Sequence, residues 1–218
     1  MLPTNSQVIA IDGPAASGKS SVAREVARRL GWVFVNTGNM FRMITWAVNQ
    51  AGIDPRDADS IAALEPSFNL AFEVVEGRMI ARINDRLLSD DELNSQQVNA
   101  AVSLVAQVPA VRARLVNEQR ALVRFGDLVM EGRDIGSVIF PDSPHKFYID
   151  ASEEVRAKRR ASQGLTDAVG LRDKLDSQRK NAPLVVPQGA LRIDSSDLTL
   201  EQVVDALLGE LRRQGVPS

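Results

Sequence analysis

Eight consecutive residues carry the plainest chemistry in the chain. Gly13-Pro14-Ala15-Ala16-Ser17-Gly18-Lys19-Ser20 satisfies the spacing G-x-x-x-x-G-K-[ST] in full. Glycines let the backbone wrap so tightly that successive N–H groups point inward at phosphate oxygens, and the following helix adds the partial positive charge of its N-terminus. In such a loop the lysine, here Lys19, reaches the β- and γ-phosphates, and the hydroxyl, here Ser20, is placed for Mg2+. Ser21 is either a second loop hydroxyl or an ordinary first-turn residue. GTPases, motor ATPases and small-molecule kinases all use this loop. No N-K-x-D guanine-reading motif occurs, and the chain is short for a motor.

Two further segments could hold a phosphorylated acceptor. Thr37-Gly38-Asn39-Met40-Phe41-Arg42 follows an apolar run, so Thr37 is expected to cap a helix and Arg42 to lie one turn in. Gly132-Arg133-Asp134-Ile135-Gly136 follows another such run, and its glycines suit a backbone that presents Arg133 and Asp134 into a cleft. Both segments should open at the C-terminal edge of a parallel sheet, where ligands bind in open α/β folds. The bland alternatives are a solvated Arg42 and an internal salt bridge at Arg133-Asp134. For Ser103 and Arg112 the bland alternative is helix-surface polarity.

These segments need elements to position them. Val8-Ile9-Ala10-Ile11 and Trp32-Val33-Phe34-Val35 read as buried strands, and Lys19 to Leu30 as an amphipathic helix stopped by Gly31. Gly38 to Ala51 reads as a helix stopped by Gly52. Asn69 to Glu76 and Arg78 to Leu87 read as a hairpin turning at Glu76-Gly77. Val98 to Val105 and Ala110 to Arg124 have helical spacing, with Pro109 in the first turn of the second. Strands Asp127–Glu131, Lys146–Asp150 and Ala190–Asp194 follow, with helices after Ser152 and Thr199 as caps. Strand-helix alternation at both ends of the chain predicts a parallel α/β sheet. Asp54 to Ala100 reads as an insertion, and Ala161 to Pro187 as a charged excursion. His145, beside Pro144, reads as a surface loop residue.

Composition narrows the classes. The 218 residues suit one core domain at about 150 residues per domain, perhaps with a subdomain. With 44% hydrophobic and 25% charged residues the chain is globular rather than disordered. Zero Cys excludes thiol catalysis and thiolate metal sites, and one His excludes a multi-histidine site. Lys and Arg number 26 against 28 Asp and Glu, a net charge of −2, which argues against nucleic-acid binding. No apolar run reaches the ~18 residues of a membrane span. The expectation is a cytoplasmic monomer without a membrane or nucleic-acid partner.

Several stretches together resemble the bacterial cytidylate kinase family. They are Ile9 to Pro14, Asn36 to Arg42, Gln97 to Arg120 with Ser103 and Val111-Arg112, Gly132 to Pro141, Ile149 to Ser152 and Ala182-Pro183-Leu184. The resemblance implies a P-loop NTPase fold, a three-layer αβα arrangement with a parallel sheet. It implies a core at 1–53 and 101–218, an acceptor-binding subdomain with a small antiparallel sheet at 54–100, and a short lid at 161–187. It implies transfer of the γ-phosphoryl group of ATP to CMP or dCMP with Mg2+. By the same resemblance Arg42, Arg133 and Arg179 contact the acceptor phosphate, and Ser103, Arg112 and Asp134 read cytosine. Arg172 and Asp176 hold the ribose and approach the phosphates. Thr37 and Phe41 line the acceptor site, and Arg156 and Arg160 the ATP site. Lys19, Arg133, Arg172 and Arg179 are the catalytic cations. Phe41 stands where the family usually has tyrosine, and Leu175 and Ser177 where it usually has arginine. A kinase for another small phosphorylated metabolite, or a nucleotide-binding module with weak turnover, are the rival readings.

Overall fold

The computed structural model describes residues 6–162 and 184–217. In chain order, β1 (Val8–Asp12) leads through the phosphate loop into α1 (Lys19–Leu30), then β2 (Val33–Asn36) and α2 (Thr37–Gln50). The next stretch holds α3 (Ala58–Leu64), β3 (Leu70–Val75), β4 (Arg78–Ile83), β5 (Arg86–Leu87) and the single turn α4 (Asp90–Leu93). After it come α5 (Gln96–Val105), α6 (Pro109–Ala121), β6 (Leu128–Gly132), β7 (His145–Asp150) and α7 (Glu153–Ser162). Beyond the undescribed residues the chain closes with β8 (Leu191–Asp194) and α8 (Leu200–Arg213).

The strands form one sheet in the order β3-β4-β2-β6-β1-β7-β8, with β5 on β4. From β2 to β8 every pairing is parallel. β1 sits inside it, all five residues buried, and its side chains alternate between the two faces. Val8 and Ala10 pack into one core with α2, α5 and α6. Ile9 and Ile11 pack into the other with α1 and α8. Burial on both faces is why β1 reads as a continuous apolar run. The layers are therefore helix, sheet, helix.

The expected hairpin is present: Glu76 and Gly77 both take positive φ, 49° and 72°, as a two-residue hairpin turn demands. It does not stand apart as its own small sheet. Phe34 of β2 pairs with Arg78 of β4, and the Phe34 N–H donates to the Gly77 carbonyl at 2.8 Å. The antiparallel strands thus extend the edge of the main sheet. The expected boundary at 100/101 falls inside α5. Most of the expected lid, 161–187, lies outside the described residues. Among the described residues no helix is long and apolar enough to cross a membrane.

Candidate active site

β1 ends where the chain must bend sharply. Gly13 has φ 156°, and a Cβ there would overlap the carbonyl oxygen of Ile149 on β7, so only glycine fits. Ala16 takes φ 59° and Gly18 φ 90° before α1 begins. The loop's carbonyls face cations: Arg133 Nη1 donates to Gly13 O at 2.7 Å, Arg156 Nη1 to Ala15 O at 3.2 Å and Arg159 Nη1 to Ser17 O at 3.1 Å. A trans peptide points its N–H opposite its C=O. The Ala16 and Gly18 N–H groups therefore face away from Arg156 and Arg159. Lys19 Nζ donates to Pro14 O at 3.0 Å, which folds the lysine back over the loop.

Two buried acids flank the loop. Ser20 Oγ donates to Glu131 Oε1 at 2.8 Å, and Glu131 is 3% exposed at the end of β6. Asp12 has no exposed surface and accepts the backbone N–H groups of Ile135 and Gly136, both at 2.8 Å. Burial pushes the Asp12 carboxyl up to about 7, with nearby Asp134 adding to the rise. The two backbone donors and Lys19 oppose it without cancelling it. The segment it holds is a single π-helical turn, Ile135–Ile139, of the kind often found at functional sites.

Across the cleft, Arg112 Nη1 and Asp134 Oδ2 meet at 2.6 Å, both buried. Arg112 Nε donates to Ala106 O at 3.1 Å, and its guanidinium lies 5.1 Å from the centre of the Phe41 ring. Ser103 is buried beside them on α5. Arg42, also buried, donates through Nη1 to Leu93 O and Asn99 Oδ1, each at 2.9 Å. These groups and the phosphate loop line one cavity of about 680 Å3.

A family model for cytidylate kinase matches residues 9–213. The chain belongs to the cytidylate kinase family. It is 42% identical to a cytidylate kinase of Mycobacterium avium (strain 104), over 95% of this chain and 96% of that one. It is 36% identical to a cytidylate kinase of Oceanobacillus iheyensis, over 93% of each. At the level of fold it is similar to a sugar kinase from Janibacter sp. HTCC2649, with TM-score 0.52 and 15% identity over 95% of both chains.

In this cytidylate kinase family chain the residues expected at the site divide into four groups, the first being Gly13 and Pro14, which lie outside the cavity wall with their carbonyls on Arg133 and Lys19. The cavity wall takes in Ala15 to Ser21, Thr37, Phe41, Arg42, Ser103, Arg112, Arg133, Asp134 and Arg160. Arg156 instead lies behind the loop, on the carbonyls of Ala15 and Ala151. Arg172, Asp176 and Arg179 lie outside the described residues. Two expectations are corrected. Thr37 does not cap α2: Asn36 does, its side chain accepting the Asn39 N–H, while Thr37 Oγ1 donates to Glu131 O at 2.8 Å. His145 is not a surface loop residue. It opens β7, is 5% exposed, and its ring nitrogens meet Gln214 Oε1 at 2.6 Å and Gln7 Oε1 at 3.2 Å.

Asp12 and Glu131 stand out as site residues only in the folded chain. A signal was present for both: each is an acid ending an apolar run, Val8-Ile9-Ala10-Ile11 and Leu128-Val129-Met130. An acid at the C-terminal end of a buried parallel strand sits at the ligand-binding edge.

Proposed function

We propose that the chain transfers the γ-phosphoryl group of ATP to CMP or dCMP, giving CDP or dCDP and ADP. The observation that carries this reading is the buried Arg112–Asp134 pair beside Ser103, in one cavity with the phosphate loop. Cytosine offers an N4 amine donor, and O2 and N3 acceptors. Asp134 or Ser103 accepts from N4, and Arg112 donates to O2 and N3. Uracil carries an acceptor at position 4, so it would face the Asp134 carboxylate oxygen with another oxygen.

ATP binds with its phosphates on the loop amides and Lys19. Arg42 and Arg133 hold the acceptor phosphate, and Arg172, Asp176 and Arg179 act from the segment 161–187 as lid. An oxygen of the acceptor phosphate attacks the γ-phosphorus while the bond to the β-phosphate oxygen breaks. The pair of electrons leaves with ADP. The acceptor is already an anion, so positioning and charge neutralisation carry the step rather than a dedicated base. The donor set suits Mg2+: the Ser20 hydroxyl and the Glu131 carboxylate are hard oxygens, already joined, at the loop's helix end. Held by Ser20 and Glu131, Mg2+ would supply charge neutralisation to the transferred phosphoryl group. Segment 54–100 serves as the acceptor-binding part, and Phe41 as a flat floor beneath Arg112.

The test is an ADP-release assay with Mg-ATP across CMP, dCMP, UMP and AMP. Turnover led by CMP or dCMP is expected; turnover led by AMP contradicts the base-reading argument.

A further inference from the structure

Asn99 stands in the first turn of α5, 6% exposed, and both ends of its side-chain amide have partners. Nδ2 donates to Asn94 O at 2.6 Å. Oδ1 accepts twice, from Arg42 Nη1 at 2.9 Å and from Arg160 Nη2 at 3.1 Å. A guanidinium only donates, so the amide can face only one way: carbonyl to the arginines, NH2 to the Asn94 carbonyl. The last carbonyls of α4 are otherwise orphans of a helix end. Leu93 O is met by Arg42 and Asn94 O by Asn99, so α4, α5 and α2 are tied at one point.

Arg160 extends this tie to α7. That helix also carries Arg156 on Ala15 O and Arg159 on Ser17 O, two carbonyls of the phosphate loop. A continuous set of contacts therefore runs from Arg42 through Asn99 and Arg160 into α7, and from α7 into the loop. Two like charges on one oxygen also repel one another. An anion received by Arg42 shifts that balance at Asn99, and the shift reaches Arg160.

We propose that Asn99 is a positioning residue that couples the acceptor side of the site to the donor side, by holding Arg42 and Arg160 on one oxygen. The proposal rests on the reading of Arg42 as an acceptor-phosphate ligand. Asparagine suits the task because it accepts from two cations on one side and donates to a carbonyl on the other. Alanine does neither, and glutamine moves the oxygen by one methylene.

The test is calorimetric binding of CMP to the full chain, with and without a non-hydrolysable ATP analogue and Mg2+. In the wild type each ligand is expected to tighten the other by about 5-fold or more. Asn99→Ala is expected to weaken CMP binding about 5- to 10-fold and bring the coupling to unity. A thermal unfolding midpoint near that of the wild type reports that the variant is folded. If Asn99→Ala does not fold, Asn99→Gln carries the same prediction. Full coupling in a folded Asn99 variant, or no coupling in a wild type that binds both ligands, overturns the relay. A wild type that binds the analogue but not CMP overturns the acceptor reading beneath it.

Discussion

The Ser20 hydroxyl and the Glu131 carboxylate, 111 residues apart in sequence, are joined by a 2.8 Å hydrogen bond at the helix end of the phosphate loop. Because β6 lies beside β1, with Ile11 opposite Glu131, the acid is delivered to the loop by strand register. Glu131→Gln keeps the shape and removes the charge. The Mg2+ concentration giving half-maximal rate should rise about 10-fold or more. CMP binding measured without metal should change little. An unaltered Mg2+ dependence would show that Glu131 has no part in the metal site.

Asp134 and Arg112 are both buried, so removing one partner strands the other. Asp134→Ala should cost about 3–5 kcal/mol of unfolding free energy in a denaturant titration. Asp134→Asn is the gentler probe, since the amide can present either an oxygen or an NH2 to the ring. Its ratio of CMP to UMP kcat/KM should fall about 10-fold or more. A ratio unchanged from the wild type would mean Asp134 does not read the base.

Asp12 sets a pH dependence of stability whose sign is opposite to that of a salt-bridged acid. Its carboxyl is raised in the folded state from 3.8 to about 7, chiefly by burial. Between those values the folded chain holds a proton that the unfolded chain has released. Its contribution is full below about pH 4 and is lost as pH rises through about 7, a change of about 4 kcal/mol. Asp12→Asn lacks this proton. The stability difference, wild type minus variant, should therefore decline from pH 5 to 7 and level off above. A flat difference in urea unfolding across that range would contradict the shift.

Lys19 reaches its loop partner, Pro14 O, at 3.0 Å, within the ring of loop carbonyls that Arg133, Arg156 and Arg159 hold. Lys19→Ala should lower kcat by about 100-fold or more while the thermal midpoint stays near that of the wild type. Retention of wild-type kcat would show that the loop does not serve the reaction.

What the sequence discloses follows from range. The phosphate loop and its strand and helix are set by neighbours in sequence, and the spacing of Gly13, Gly18 and Lys19 suffices to read them. The continuous apolar run of β1 is likewise local. The misread residues depend on distant partners. Asn36 and Thr37 are both cap-competent and adjacent; Thr37 is drawn off by the Glu131 carbonyl, 94 positions away. His145 reads as a loop residue beside Pro144, yet Gln214, 69 positions on, and Gln7 bury its ring. The hairpin's merger with the main sheet hangs on one pairing, Phe34 with Arg78. No periodicity encodes such a join. Asn99 is also a long-range case, since Arg42 and Arg160 stand 57 and 61 positions from it.

In the proposed function, one cavity joins a phosphate-donor loop to a cytosine-reading pair. Steady-state kinetics of ADP release with Mg-ATP, run in parallel on CMP, dCMP, UMP and AMP, tests it most directly. The highest kcat/KM is expected for CMP or dCMP, with UMP lower by about 10-fold or more. Equal kcat/KM for CMP and UMP, or ATP binding without turnover of any of the four, would contradict it.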